Sequence, residues 1–91
     1  MSSALYARQL EAERRYQHKV DVPVPFGGLG ERLTDMLEWC RDRGRPEYWD
    51  CHGITDCQRR DARGAAMDFA RFYFLYEAEA DAFSQRWLSP G

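Results

Sequence analysis

Three cysteines and a histidine are the residues of this chain best suited to chemistry. Cys51, His52 and Cys57 lie close together, and Cys40 precedes them. Zinc prefers thiolate and imidazole ligands, so a small structural zinc-binding domain is one interpretation. Structural zinc sites, however, usually present cysteine pairs about two to four residues apart, and Cys51 and Cys57 are farther apart. The other interpretation, which we favour, is that these are thiols without a metal.

Nucleophilic catalysis by a cysteine would require a base beside the thiol. His52 follows Cys51 directly, and neighbouring residues of a strand point to opposite faces of a sheet. His18 lies in the N-terminal segment, and the carboxylates are scattered through charged segments without apolar surroundings. The sequence therefore predicts a protein that is not an enzyme and that has no cofactor or resident metal.

Arginines provide the second kind of candidate site. Arg59, Arg60 and Arg63 cluster in the polar segment 56–64, which we predict to be a loop. A planar guanidinium group pairs with carboxylate or phosphate through two parallel hydrogen bonds. Together with Tyr48 as an exposed aromatic residue, these arginines are the predicted partner-binding residues.

The charge of the chain distinguishes between a protein partner and a nucleic-acid partner. The chain carries a net charge of -2, which gives no overall attraction to nucleic acid, and Asp56 and Asp61 accompany the arginines. A nucleic-acid-binding accessory protein remains the alternative, with the arginine segment as its binding site. A protein partner is the main prediction, because arginine and aromatic residues are enriched at protein interfaces.

Length and composition set the broad class. A chain of 91 residues makes one domain, and no segment is apolar enough to span a bilayer. The N-terminal segment lacks the apolar core of a signal peptide, which predicts a cytoplasmic protein without membrane contact. The three cysteines are then expected to be reduced. The oligomeric state is left open.

The segment Met67–Leu88 is the most apolar and aromatic part of the chain, so the core is expected to form against it. It could be one long helix, or a strand followed by a helix. The second arrangement places Glu77, Glu79 and Asp81 near a helix N-terminus and Arg86 near its C-terminus, where each charge complements the helix dipole. We therefore predict a strand and then a helix.

The remaining elements follow from hydrophobic periodicity and from the positions of glycine and proline. Segment 17–25 alternates as a strand, and Pro23 restricts it to a sheet edge. Gly27, Gly28 and Gly30 lack the lysine and hydroxyl of a phosphate-binding loop and predict a turn. The predicted elements are a helix over 3–16, a strand over 17–25, a helix over 29–43 ending at Gly44 and Pro46, a strand over 47–55 and the loop over 56–64.

The N-terminal helix has the weakest basis for packing against the rest of the domain. Its apolar stripe is thin, which predicts either a mobile tail or a docking arm. Its predicted features are the N-cap Ser3, the pair Glu11 and Arg15, and the stripe of Leu5, Tyr6 and Leu10. Elsewhere, at least two of Trp39, Trp49 and Trp87 are expected to be buried.

Several short motifs resemble a pattern found in short phage and prophage proteins of unknown function. In those proteins a helix with a Trp-Cys pair leads to a Trp-Asp strand, and an F-x-F strand runs into a final helix. The motifs here are Met36-Leu37-Glu38-Trp39-Cys40, Tyr48-Trp49-Asp50, Phe72-x-Phe74, Glu79-Ala80, Phe83 and Arg86-Trp87. The resemblance implies a small α+β domain and transfers no activity.

These observations predict an α+β domain with the order α-β-α-β-β-α and a three-stranded antiparallel sheet packed by helices. An all-α helical bundle is the alternative. Residues 1–16 would form the N-terminal helix or docking arm, and residues 17–91 the domain. The predicted function is binding of a protein, and the phage resemblance suggests an inhibitor or modulator of a host complex such as a defence system.

Overall fold

A computed structural model describes the backbone of residues 3–88 and the side chains of residues 7–88. In chain order the elements are α1 (Ser3–Arg15), β1 (His18–Pro23), α2 (Glu31–Arg43), a 3-10 helix (Pro46–Tyr48), β2 (Trp49–Arg60), β3 (Ala66–Phe74) and α3 (Glu77–Trp87). The predicted α+β class and element order are confirmed, and the helical-bundle alternative is wrong. No helix in this part of the chain is both long and apolar enough to cross a membrane.

The three strands form one antiparallel sheet with the order β1-β3-β2. Phe72 at the centre of β3 pairs with Val20 of β1 on one side and with Cys51 of β2 on the other. The central strand is therefore the aromatic segment around which the core was expected to form. β1 lies at an edge, as Pro23 required, because a proline cannot donate to a second neighbouring strand.

One face of the sheet carries the main hydrophobic core. Alternate residues of β3 point to this face, where α2 and α3 cover them. Phe72, Met36 and Phe83 are fully buried there, one from each of the three elements. Trp39, Trp49 and Trp87 pack against this core but are only half-buried, so the prediction that at least two would be buried is wrong. The buried members of this core are Val20, Val22, Met36, Cys40, Ala70, Phe72, Phe74, Ala80 and Phe83.

The opposite face of the sheet is covered by the C-terminal half of α1. Ala12 and Tyr16 are buried against Tyr73, and the Tyr16 hydroxyl donates to the Glu47 carbonyl oxygen at 3.1 Å. Leu10 is 37% exposed and adds little to this contact. α1 begins at Ser3, and the side chains of Ser3, Leu5 and Tyr6 lie outside the described residues.

The C-terminal segment changes from strand to helix at the position that its charged residues predicted. β3 ends at Phe74 and α3 begins at Glu77, with Glu77 and Glu79 in its first turn and Arg86 in its last. Each charge lies at the end of the helix whose dipole it complements. The single long helix is therefore excluded.

The predicted loop over 56–64 is wrong, because β2 continues to Arg60 and only residues 61–65 form the turn. Asp56 pairs with Met67 and Arg60 pairs with Ala66, with an irregularity in register between them. The physical reason is that this end of the hairpin extends beyond β1. Polar side chains that are exposed on both faces of a strand give no alternating pattern for the sequence to reveal.

Candidate partner-binding surface

The three predicted arginines lie at the free end of the β2–β3 hairpin, and two of them contact aromatic rings. The Arg59 guanidinium lies 4.7 Å from the centre of the Phe69 ring, and that of Arg63 lies 4.1 Å from the centre of the Phe26 ring. Arg60 donates to the Gly64 carbonyl oxygen at 3.5 Å. All three arginines are exposed. Their aliphatic stems and planar head groups are thus partly ordered while their remaining N–H groups face solvent.

Asp61 holds the tight turn that presents Arg63. Its Oδ1 accepts hydrogen bonds from the backbone N–H groups of Arg63 at 2.8 Å and Ala65 at 3.0 Å. These N–H donors, Ala65 before Arg63, lower the pKa of the Asp61 carboxyl. Gly64 has φ of 82°, a conformation that other residues rarely adopt. Asp61 Oδ2 also lies 3.5 Å from Arg63 Nη2, so this acid both holds the turn and partly offsets the charge of Arg63.

Phe26 is the most exposed large apolar side chain among the described residues, at 86%. It lies in the turn after β1, where Gly28 N–H donates to the Pro25 carbonyl at 2.9 Å and Gly27 has φ of 92°. A hydrogen bond of 2.9 Å from Val24 N–H to the Asp68 carbonyl attaches this segment to β3. The glycines do form the predicted turn. Sequence reasoning missed Phe26, although an aromatic residue between Pro25 and Gly27 is a signal that could have identified it.

A groove of about 620 Å³ lies beside Phe26, between the turn after β1 and the hairpin. Most of its lining is apolar, and Arg32 and Arg63 supply positive charge. Arg32 also donates to the Trp87 carbonyl oxygen at 2.6 Å, which ties α2 to the end of α3. The apolar residues of the lining are Val22, Pro23, Val24, Pro25, Phe26, Leu29, Ala62, Met67 and Leu88. We call the groove together with Phe26 and the three hairpin arginines the hairpin-end surface.

Tyr48 does not belong to this surface. It lies in the 3-10 helix before β2, where its ring meets that of Tyr76 edge-on at 5.4 Å. β2 separates it from Arg60, and the eight residue steps of β3 that lie opposite, from Phe74 to Ala66, span roughly 27 Å. The structure therefore keeps Arg59, Arg60 and Arg63 at one end of the sheet, with Arg63 at the groove and Arg59 on the face that α1 covers. It places Tyr48 at the opposite end of the sheet, half-buried.

The three cysteines do not form one cluster, because Cys40 and Cys51 lie near each other at the main core and Cys57 lies apart. Cys51 packs against the main core, whereas the ring of His52 contacts Tyr73 on the other face of the sheet, as the alternation of a strand predicted. Cys57 is exposed near the hairpin end, and Cys40 is buried in α2. Burial raises the pKa of the Cys40 thiol and that of the Cys51 thiol to about 12. Within residues 7–88, no three His, Cys, Asp or Glu side chains come together where they could hold a metal ion.

A charged network on the α1 face of the sheet was not anticipated from the sequence. Arg71 donates to both oxygens of Asp21, at 2.7 and 3.0 Å, and to Glu13 Oε2 at 3.1 Å. Glu13 also accepts from the Tyr73 hydroxyl and forms an ion pair of 2.8 Å with Lys19. Burial alone would raise the pKa of Glu13, but the hydrogen bonds from Lys19, Tyr73 and Arg71 lower it to about 2. Because these groups satisfy one another, we assign the network to attaching α1 to the sheet.

Comparison with protein-family models, with curated proteins and with solved structures finds no match to this chain.

Proposed function

We propose that this protein is a small, non-enzymatic module that binds another protein through its hairpin-end surface. The observation that carries this proposal is the exposure of Phe26, which is 86% accessible and lies beneath the Arg63 guanidinium beside an apolar groove. Large aromatic side chains together with arginine are the residues that most often dominate the binding energy of interfaces. Burial of Phe26 and the groove by a partner would remove apolar surface from water.

The charge of the surface supports a partner of acidic character. Arg59, Arg60 and Arg63 project from the hairpin, and Arg32 lies at the groove. The Asp61 carboxylate accepts from backbone N–H groups and also pairs with Arg63, so Arg59, Arg60 and Arg32 supply most of the positive charge offered to a partner. A partner segment that combines Asp or Glu side chains with one apolar or aromatic anchor would match both the arginines and the groove.

The resemblance to short phage and prophage proteins extends the proposal to a biological role. A small binding module encoded by a phage would act on a complex of the host, as an inhibitor or modulator of, for example, a defence system. This extension rests on the Trp-Cys, Trp-Asp and F-x-F motifs, and the hairpin-end surface is the face that would contact the host protein.

The test compares the unmodified chain with two surface variants. The first is Phe26→Ser combined with Arg63→Glu, and the second is Arg59→Glu combined with Arg60→Glu. Arg41→Glu, on the exposed side of α2, is the matched control for charge. One ligand is an acidic peptide with a single Phe or Leu, selected by its retention on the immobilised protein. The other ligands are proteins that are captured from the native host and then purified. Calorimetry measures the binding of each.

The proposal predicts that each double variant weakens binding at least tenfold while Arg41→Glu does not, and that circular dichroism is unchanged in all. Equal affinity for all four proteins would contradict it. Binding of mixed-sequence oligonucleotides that falls steeply with salt, and that the same double variants abolish, would instead identify a nucleic-acid-binding accessory protein.

A further inference from the structure

The two edges of the sheet differ in how they are protected. At the β1 edge, Val24 N–H donates to the Asp68 carbonyl, so the alternation of the strand turns the backbone of Lys19, Asp21 and Pro23 outwards. A lysine and a proline on an edge strand oppose pairing with another chain. The other edge is β2, whose sequence contains no lysine and no proline. The β2 edge is therefore the one that another strand can join.

The outward backbone groups of β2 follow from its pairing with β3. Leu75 N–H donates to the Tyr48 carbonyl at 2.9 Å, so every second residue from Tyr48 turns its N–H and C=O groups towards β3. The residues between them, which include Gly53 and Thr55, turn theirs away from the sheet. Within residues 7–88, no side chain and no other segment forms a hydrogen bond with these outward groups of Gly53 or Thr55. The middle of this edge therefore presents unpaired donors and acceptors.

The chain itself limits the length of this open stretch. On one side, Asp50 Oδ1 accepts from the backbone N–H of Cys51 at 2.8 Å. On the other side, Asp56 Oδ1 accepts from the backbone N–H of Gln58 at 2.9 Å, and the pairing with β3 becomes irregular after Asp56. Capped groups and irregular pairing are features that stop another strand from adding to an edge. The open stretch is short, and Ile54 lies at its centre.

No helix covers the open stretch on either face of the sheet. On the main-core face, a Cβ atom at Gly53 would have no neighbour within 4 Å. On the other face, α1 packs at Tyr73, and Ile54 lines a depression to which no residue of α1 contributes. A second strand laid along β2 would therefore meet open space at this position.

The residues around Ile54 are complementary to themselves when two copies of β2 run antiparallel. With Ile54 on a two-fold axis, Gly53 lies opposite Thr55 of the other copy, and the open groups of these residues form hydrogen bonds in both directions. In the same arrangement Ile54 contacts its own counterpart. His52 then lies opposite Asp56 of the other copy, which is a favourable combination of a basic and an acidic residue.

From these observations we propose that β2 pairs with β2 of a second copy of this chain about a two-fold axis at Ile54. The two three-stranded sheets then form one sheet of six strands. An axis at Gly53 would instead place Asp50 opposite Asp56, and like charges in that position are destabilising. The proposal goes beyond the hairpin-end surface, because Phe26 follows β1 and lies across the sheet from the β2 edge.

Analytical ultracentrifugation of the full chain tests the association. The unmodified protein should change from monomer to dimer as its concentration rises towards about 1 mM, because a short strand pairing obeys mass action. Ile54→Lys places like charges at the axis and should raise the dimer dissociation constant about tenfold. The control Gln58→Lys adds the same charge beyond the paired residues and should leave the constant unchanged. A monomer at every concentration would overturn the proposal, as would equal dissociation constants in the two lysine variants.

Disulfide crosslinking tests the axis without adding a charge. Residues opposed in an antiparallel pair without mutual hydrogen bonds have Cα atoms about 4.5 Å apart, which a disulfide can bridge. In a Cys57→Ser background, which removes the exposed thiol, Ile54→Cys should form a covalent dimer on mild oxidation and Thr55→Cys should not. Absence of crosslinking in Ile54→Cys, or equal crosslinking in Thr55→Cys, would contradict the proposed pairing. Phe26→Ser combined with Arg63→Glu should dimerise like the unmodified chain, so this proposal and the hairpin-end surface are tested separately.

Discussion

Arg71 Nη1 lies 3.1 Å from Glu13 Oε2 although 58 residues separate the two in the chain. Arg71 is on the central strand and Glu13 is on α1, so this hydrogen bond joins the N-terminal helix to the middle of the sheet. The same arginine holds Asp21 of β1 with two further N–H groups. One guanidinium therefore connects the helix, the central strand and the edge strand.

Glu13→Gln should destabilise the folded protein by about 1–3 kcal/mol, because charge-assisted hydrogen bonds from Arg71 and Tyr73 are lost at a half-buried site. Glu11→Gln is the matched control, since Glu11 is exposed on the same helix. Urea unfolding of the three proteins measures the effect. Equal midpoints for both variants would show that the network does not hold α1 to the sheet.

The contribution of Glu13 should also depend on pH. Its pKa is lowered from 4.5 to about 2 in the folded protein, so its ionised form is stabilised by folding. This stabilisation, about 3 kcal/mol at most, is complete above pH 4.5 and is lost as the pH falls towards 2. The difference in unfolding free energy between the unmodified chain and Glu13→Gln should therefore shrink across that window. A difference that stays constant from pH 6 to about pH 2 would contradict the assignment.

The three thiols should differ in reactivity. Because burial raises the pKa of Cys40 and of Cys51 from 9.0 to about 12, their thiolate fractions at pH 8 fall by about a thousandfold. Cys57 is exposed. Native protein should react rapidly with a chromogenic disulfide reagent at Cys57 alone, and Cys57→Ser should abolish the rapid phase. A rapid phase that survives in Cys57→Ser would show that the core opens more readily than its burial implies.

Gly64 and Gly53 provide a matched pair for backbone conformation. A Cβ atom at either position would have no neighbour within 4 Å, but only Gly64 has a positive φ, of 82°. Gly64→Ala should destabilise the protein by about 1 kcal/mol, whereas Gly53→Ala should be neutral or slightly stabilising. Thermal unfolding compares them. A similar loss in both would mean that side-chain space, not backbone conformation, limits these positions.

Substitutions of Phe26 and of Phe83 should distinguish a role in binding from a role in folding. Phe26 is 86% exposed, so Phe26→Ser should change the unfolding free energy by less than about 1 kcal/mol. Phe83 is fully buried among core rings, and Phe83→Ala should cost about 3–5 kcal/mol. Urea titration measures both changes. A large loss in Phe26→Ser would identify a packing role for Phe26 and remove it from the hairpin-end surface.

The sequence could predict the elements whose determinants are local. Glu77 and Glu79 predicted the start of α3, and Pro23 predicted an edge strand. The end of β2 and the position of Tyr48 were not predictable in this way. Whether Arg59 and Arg60 belong to a loop or to a strand depends on the pairing of β2 with β3. The length of β2 decides how far Tyr48 lies from these arginines.

The candidate site was identified partly from the sequence and partly from the tertiary structure. Clustered arginines were visible in the sequence because residues close in the chain stay close in space. The groove beside Phe26 was not visible, because it is formed by segments distant in the chain. The sequence alone thus determined periodicity, charge and helix ends, which act over a few residues. The tertiary structure decided which faces remain exposed and which charges meet, because those depend on packing across the whole chain.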